Sequence, residues 1–260
     1  MRSLIVLAFT MAVASAAIPP LGRIIGGSLT TINQYPEMVQ VLQNHGTNFM
    51  HVCGSSILNN RAILSAAHCT ALGHSDMPTN SVRIRYGSSF RSSGGTVLTI
   101  NRIINHPNYN PSTMDNDISI LWVNGNIPVT ATSRPARIAG SRYYPADNQV
   151  VWAAGWGFTI YDDMNSMSEQ LRHVQIWTVN QDICRQRYLS TPMRITDNML
   201  CSGVLDVGGR DQCTMDSGGP LFHNGVVVGV CSFGMGCGLP YFPGVNARVS
   251  RYTNWINQNR

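Results

Sequence analysis

Lysine is missing from this sequence altogether: all 18 basic residues among the 260 are arginine. A guanidinium keeps its proton above about pH 12, where an ammonium with a pKa of about 10.4 has lost its own. The surface therefore keeps its positive charge in strongly alkaline fluid. An alkaline setting and a compositional bias of the lineage both account for the absence. The formal charge of +5 comes from arginines scattered singly, with no basic run, which argues against nucleic acid as a partner. There is no C-x-x-C pair and no H-E-x-x-H, so the spacing rules for metal sites are not met. There is no N-x-S/T sequon without proline, so N-glycosylation is not expected. No internal repeat and no low-complexity tract is legible.

Only one apolar run has any length, and it lies at the start. "MRSLIVLAFTMAVASAA" has an early Arg, an apolar stretch from Leu4 to Ala14, and small residues at Ala14 and Ala16. Residues 1–16 therefore read as a cleavable secretory signal. A membrane anchor is the rival reading, but a span needs about 20 apolar residues. No other segment is long enough to cross a bilayer. Export makes disulfides the expected use of the seven cysteines. Seven is odd, and Cys231, inside the apolar run "VVVGVC", is the expected unpaired and inert thiol.

At 43% hydrophobic content the chain holds enough for one large core or two small ones. Short apolar runs such as "MVQVL", "SVRIRY", "ISILWV", "QVVWAAGW", "RHVQIWTV" and "GVVVGVCSF" alternate with Gly, Pro, Asn and Ser clusters, which describes an all-β protein. One helix is expected, at the end, where "SRYTNWINQNR" puts Tyr252, Trp255 and Ile256 on one face. A two-barrel arrangement would divide the chain at the polar, Pro-bearing segment 128–147.

Three segments carry chemistry: "LSAAHC" with His68, "MDNDISIL" with Asp117, and "MDSGGP" with Ser217. A hydroxyl is a poor nucleophile near neutral pH unless a base takes its proton, and that base needs a carboxylate to hold its tautomer. Taken singly, each residue has a dull explanation. The combination is specific, and in these segments and their order the chain resembles the chymotrypsin-family serine proteases, near the insect midgut trypsins, from Ile24 to Arg260.

The resemblance implies two antiparallel six-stranded β-barrels with a C-terminal α-helix. It implies Ser217 as nucleophile, His68 as general base and then acid, and Asp117 as the residue orienting His68. Asp115 is the rival carboxylate; Asp117 is preferred because it directly precedes the "ISIL" strand. Asp211, six residues before Ser217, stands where the family places the carboxylate of a pocket for substrate Arg or Lys. Gly234 and Gly244 match the glycines that leave the pocket mouth open. The backbone of Ser232, Phe233 and Gly234 should pair with substrate as an added strand. Gln212 replaces a small Ser, which favours Arg over Lys.

"GR/IIGG" resembles the family's activation junction, so residues 17–23 are expected to be a pro-peptide. Cutting after Arg23 would free the Ile24 amine to pair with Asp216. The implied disulfides are Cys53 to Cys69, Cys184 to Cys201 and Cys213 to Cys237. Two features depart from the family pattern. The loop "YGSSFRSSGGTV" has no acidic residue, so no calcium and no other metal or cofactor is expected. Met215 stands where glycine is usual, at a backbone N–H that serves with that of Ser217 as an oxyanion donor.

The expected partners are protein and peptide substrates and protein protease inhibitors, with no nucleic acid and no membrane, for a monomer secreted into the gut lumen. The activity expected is that of a trypsin-like digestive endopeptidase made as a zymogen. Two rivals are kept, a catalytically weak or inactive homologue that acts by binding and a regulatory cascade protease. The intact triad argues against the first. The short pro-peptide leaves no room for the recognition domains of the second.

Overall fold

A computed structural model describes residues 24–260. The expected signal, the pro-peptide and Arg23 lie outside the described residues.

The first half supplies six barrel strands: β1 (Met38–His45), β2 (Asn48–Ile57), β3 (Ala62–Ser65), β4 (Val82–Tyr86), β5 (Thr96–Asn105) and β6 (Ser119–Val123). They close into an antiparallel barrel in the order β1-β2-β3-β6-β5-β4. The second half supplies β7 (Val150–Gly155), β8 (Arg172–Thr178), β9 (Met199–Gly203), β10 (Pro220–His223), β11 (Val226–Phe233) and β12 (Gly244–Arg248). These also close, in the order β7-β8-β9-β12-β11-β10. The two orders are the same permutation, so the halves repeat in space although no repeat is legible in the sequence.

Alternation explains the strands that have one wet face. In β4, Val82, Ile84 and Tyr86 are buried while Arg83 and Arg85 between them are not, the period of a pleated strand. In β8 the buried positions are Arg172, Val174, Ile176 and Thr178. β3 and β9 are buried throughout. Among the described residues, one apolar cluster runs through both barrels, and a smaller one gathers around Cys184, Tyr188, Met199 and Val245.

The C-terminal helix spans Val249–Asn259 and buries Val249, Ser250, Tyr252 and Ile256. It leaves the second barrel and returns to the first. Tyr252 and Trp255 pack on His106, and the Trp122 indole N–H donates to the Asn259 carbonyl at 2.9 Å. The expectation of a single helix needs correction, because a second one spans Gln181–Tyr188. Only Cys184 and Tyr188 are buried on it, too few for an apolar stripe. Its ends hold it instead: the Asn180 side chain accepts from the amides of Asp182 and Ile183, and Arg185 and Arg187 lie in the last turn.

Residues Ser28–Leu29 pair with Arg172 and His173 of β8. The start of the described chain therefore belongs to the second barrel, which places Ile24 and Ile25 beneath the site described next.

Candidate active site

His68 sits on a short helical turn, Ala67–Cys69, directly after β3, and the disulfide from Cys69 to Cys53 of β2 ties that turn to the first barrel. Asp117 precedes β6 and is 1% exposed. Its Oδ1 accepts from the His68 backbone N–H at 2.8 Å, and its Oδ2 is 2.7 Å from His68 Nδ1. Ser232 Oγ, from β11 of the second barrel, also donates to Oδ2 at 2.5 Å. A buried carboxylate is costly unless its lone pairs are used, and here three donors meet them. Burial lowers the His68 pKa, but the Asp117 charge and hydrogen bond outweigh it, and the net shift is upward. The rival Asp115 is occupied elsewhere, accepting from Thr196 Oγ1 at 2.7 Å and Asn198 Nδ2 at 3.1 Å.

Ser217 lies in the loop before β10. Its carbonyl accepts from Gly54 N–H of β2 at 2.8 Å. Gly218, at φ 79°, lets this loop approach the end of β3: a Cβ there would stand 2.3 Å from Ser65 Oγ. Serine and histidine are thus brought to facing edges of the two barrels. Among the described residues, Ser217 Oγ is not hydrogen-bonded to His68; Nε2 has Cys69 Sγ at 3.7 Å as its contact. Such bonds commonly tighten only when substrate arrives.

Asp211 is 3% exposed on a cavity of about 280 Å³ lined also by Gln212, Ser217, Ser232, Phe233, Gly234 and Gly244. Its oxygens accept from the amides of Gln212 at 2.9 Å and Gly238 at 3.0 Å. Burial still pushes its pKa up to about 7. A Cβ at Gly244 would lie 2.8 Å from Asp211 Oδ1, so only glycine leaves that carboxylate reachable. The Cys213–Cys237 disulfide braces the cavity wall, and Cys184–Cys201 ties the Gln181–Tyr188 helix to β9. Cys231 is free and buried, and burial holds its thiol well above the usual range.

Ile24 is fully buried, and the Ile25 carbonyl accepts from Asp211 N–H at 3.1 Å. The segment after the expected cleavage point therefore supports the cavity floor. Asp216 takes its hydrogen bonds from the amides of Gly157 at 2.8 Å and Cys213 at 3.0 Å. Burial pushes its pKa up to about 7. No hydrogen bond between Ile24 and Asp216 is present among the described residues.

The amides of Met215 and Ser217 donate to no protein acceptor among the described residues, which leaves both available to an incoming oxygen. Met215 has φ 74°. Two features of this region escaped the sequence reading. From the sequence Ser232 is expected to act through its backbone, whereas its hydroxyl reaches Asp117. His51, 4% exposed, places Nε2 at 3.1 Å from the Met215 carbonyl and its ring edge-on to Trp156. Burial lowers its pKa to about 3, so it is neutral and Nε2–H donates. No local pattern marks a histidine for such a role.

Cys53, His68 and Cys69 bring ligand-type atoms within 4.8 Å of one another. Both sulfurs are committed to a disulfide, so neither is a thiolate able to hold a metal. In the loop 86–97 the carbonyls of Phe90, Arg91 and Ser93 already accept from Gln40, Arg85 and Ser88.

Among the described residues no helix is long and apolar enough to cross a membrane. Residues 24–256 match the family described as Trypsin. Alkaline trypsin A of Manduca sexta is 56% identical over 258 residues, which cover 99% of this chain and 98% of that protein. Alkaline trypsin B of the same moth is 57% identical over 261 residues, with the same coverage. Trypsin CFT-1 of Choristoneura fumiferana is 57% identical over 238 residues, 91% of each chain.

Proposed function

The chain belongs to the trypsin family and is a trypsin-like serine endopeptidase, and on that premise we propose that it is secreted as a zymogen, cleaves after Arg in preference to Lys, and digests protein in an alkaline gut. It acts as a monomer on protein and peptide substrates, is open to protein inhibitors, and needs no metal or cofactor. The observation that carries the specificity is Asp211, a buried carboxylate on a cavity where a Cβ at Gly244 would crowd its Oδ1 at 2.8 Å. A guanidinium entering there forms two parallel hydrogen bonds and restores the ionised carboxylate that burial disfavours.

Acyl transfer then runs through an ester on Ser217. His68 takes the hydroxyl proton as Ser217 Oγ attacks the scissile carbonyl, and Asp117 stabilises the imidazolium that forms. The carbonyl oxygen gains negative charge, which the amides of Met215 and Ser217 receive. His68 returns the proton to the leaving amine, and water repeats the sequence to free the acid. Asp117 raises the His68 pKa and burial raises that of Asp211 to about 7, so a rise in pH favours the working state of both, in keeping with the all-arginine surface.

Hydrolysis of an arginine ester by the chain cut after Arg23 tests the reading, with Ser217→Ala as the control. Turnover that vanishes in the control and needs the cut supports it. Equal turnover by the uncut Arg23→Gln chain defeats the zymogen claim. Specific binding of a protein ligand with no turnover would favour the inactive homologue, for which the strained Met215 is the supporting observation.

A further inference from the structure

Cys213 to Asp216 form a tight turn, closed by a hydrogen bond from Asp216 N–H to the Cys213 carbonyl at 2.9 Å. Thr214 and Met215 are its two central residues. With φ 74° at Met215, this is the turn type whose third position suits glycine or asparagine. The commoner type keeps the same closing bond and places the third residue at a φ of about −90°, which methionine adopts freely. The two types differ in one element: the central peptide, here Thr214–Met215, is turned over. The N–H of Met215 belongs to that peptide. On the proposed function it is an oxyanion donor, and reversal would present the Thr214 carbonyl in its place.

The surroundings of this peptide are fixed independently. The Met215 carbonyl accepts from His51, the Asp216 carboxylate accepts from Gly157 and Cys213, and the closing bond is common to both turn types. None of these contacts opposes the reversal. One contact does: Phe158 N–H donates to the Thr214 carbonyl at 2.9 Å. Gly157 makes that approach possible, since a Cβ on it would stand 2.5 Å from the same carbonyl oxygen. A left-handed conformation disfavours a residue with a Cβ by roughly 5- to 30-fold. A single net hydrogen bond favours its partners by roughly 2- to 13-fold. The opposing factors are of one size.

We propose that the oxyanion donor of this enzyme is a two-position switch, in which Met215 biases the Thr214–Met215 peptide toward the reversed position and the backbone amide of Phe158 latches it in the working one. Phe158 is a positioning residue, acting through the Thr214 carbonyl. Negative charge on the reacting oxygen attracts Met215 N–H only in the working position, so the cost of the switch falls on the chemical step and spares substrate binding. The inference rests on the assignment of Met215 N–H as an oxyanion donor.

The test uses the chain cut after Arg23 and titrated for active sites, with kcat and KM measured on a short arginine ester across Met215→Gly, Met215→Asn, Met215→Ile and the parent. Tolerance of the left-handed region predicts kcat in the order Gly, Asn, Met, Ile, with Gly about 2- to 10-fold above the parent and KM unchanged. The affinity of an arginine-type boronic acid, whose tetrahedral adduct places an oxygen against the donor, should follow kcat. A small amidine that fills only the Asp211 pocket should bind all four alike. Bulk alone predicts that Ile equals Met, a result that overturns the switch. Phe158→Pro removes the latching N–H, and should lower kcat by up to about 13-fold in the parent but under about 2-fold in the Met215→Gly background. Equal losses in both backgrounds overturn the latch, and if the proline variant fails to fold the Met215 series decides alone. Absence of ester hydrolysis in every variant defeats the proposed function itself, whereas hydrolysis with a flat kcat across the series defeats only this inference.

Discussion

Ser232 of the second barrel donates its hydroxyl to the Oδ2 of Asp117 in the first, at 2.5 Å, on the same oxygen that faces His68 Nδ1. The bond crosses the interface between the two halves and ties the carboxylate to the strand that also lines the Asp211 cavity. Orientation of the histidine and construction of the pocket thus share one residue.

Replacing Ser232 by Ala leaves Asp117 with its two bonds to His68 and one donor fewer. With one donor fewer on Oδ2 the carboxylate charge acts more strongly on the imidazolium, and His68, already raised, rises further. The acid limb of the kcat/KM profile should move to higher pH, and plateau kcat should fall roughly tenfold, the scale of one charge-assisted hydrogen bond. A profile superimposable on the parent would reject the link.

Gly244 has no room for a side chain, because its Cβ would meet Asp211 Oδ1 at 2.8 Å. Gly244→Val should cut kcat/KM on an arginine ester by roughly 10³-fold or more, the loss of a charge-paired anchor of about 4 kcal/mol. Titration with an acylating reagent that carries no basic side chain should show the Ser217 machinery still intact. Full activity toward arginine would mean that the cavity is not the specificity pocket.

Gln212 is 7% exposed on the cavity wall, and its Nε2 has no hydrogen-bond partner among the described residues. A guanidinium reaches Asp211 bidentately, whereas an ammonium gains from an added hydroxyl. Gln212→Ser should therefore lower the Arg-to-Lys ratio of kcat/KM about 3- to 10-fold, chiefly by improving Lys. Matched ester substrates measure the ratio, and an unchanged value would remove Gln212 from the specificity argument.

Asp216 has its pKa raised from 3.8 to about 7 by burial in the folded chain. Between those values the folded state holds a proton that the unfolded state has released. Stability from this group is full below pH 3.8 and is lost as pH rises through about 7. Cutting after Arg23 adds the Ile24 amine, whose pairing would return Asp216 to its ionised form and cancel that loss. The amine's own pKa, raised by the pair above about 7.7 to 8.0, sets the alkaline limit of the gain. In a Ser217→Ala background, urea midpoints for cut and uncut chains should lie close together at pH 4 and separate by pH 7.5, with the cut chain the more stable. Parallel curves would show that the new terminus does not reach Asp216.

Local chemistry was legible along the chain. Alternating runs such as "SVRIRY" specify strands because a pleated backbone sends successive side chains to opposite faces. The odd cysteine count called for one unpaired thiol and the apolar run around Cys231 picked it out, and the residue types of His68, Asp117 and Ser217 pointed to acyl transfer. Sequence alone did not distinguish the helix at Gln181–Tyr188, because its stability comes from a cap and from two buried side chains rather than from a stripe. The shared strand order of the barrels was likewise hidden, since burial constrains polarity and size while leaving residue identity free to diverge. Contacts between residues 115 and 164 positions apart, Ser232 with Asp117 and His51 with Met215, arise only when barrel closure brings distant strands and loops together. The left-handed backbone at Met215 is of the same kind. Its sequence favours another turn, and the folded loops around Gly157 and Phe158 hold it where it is.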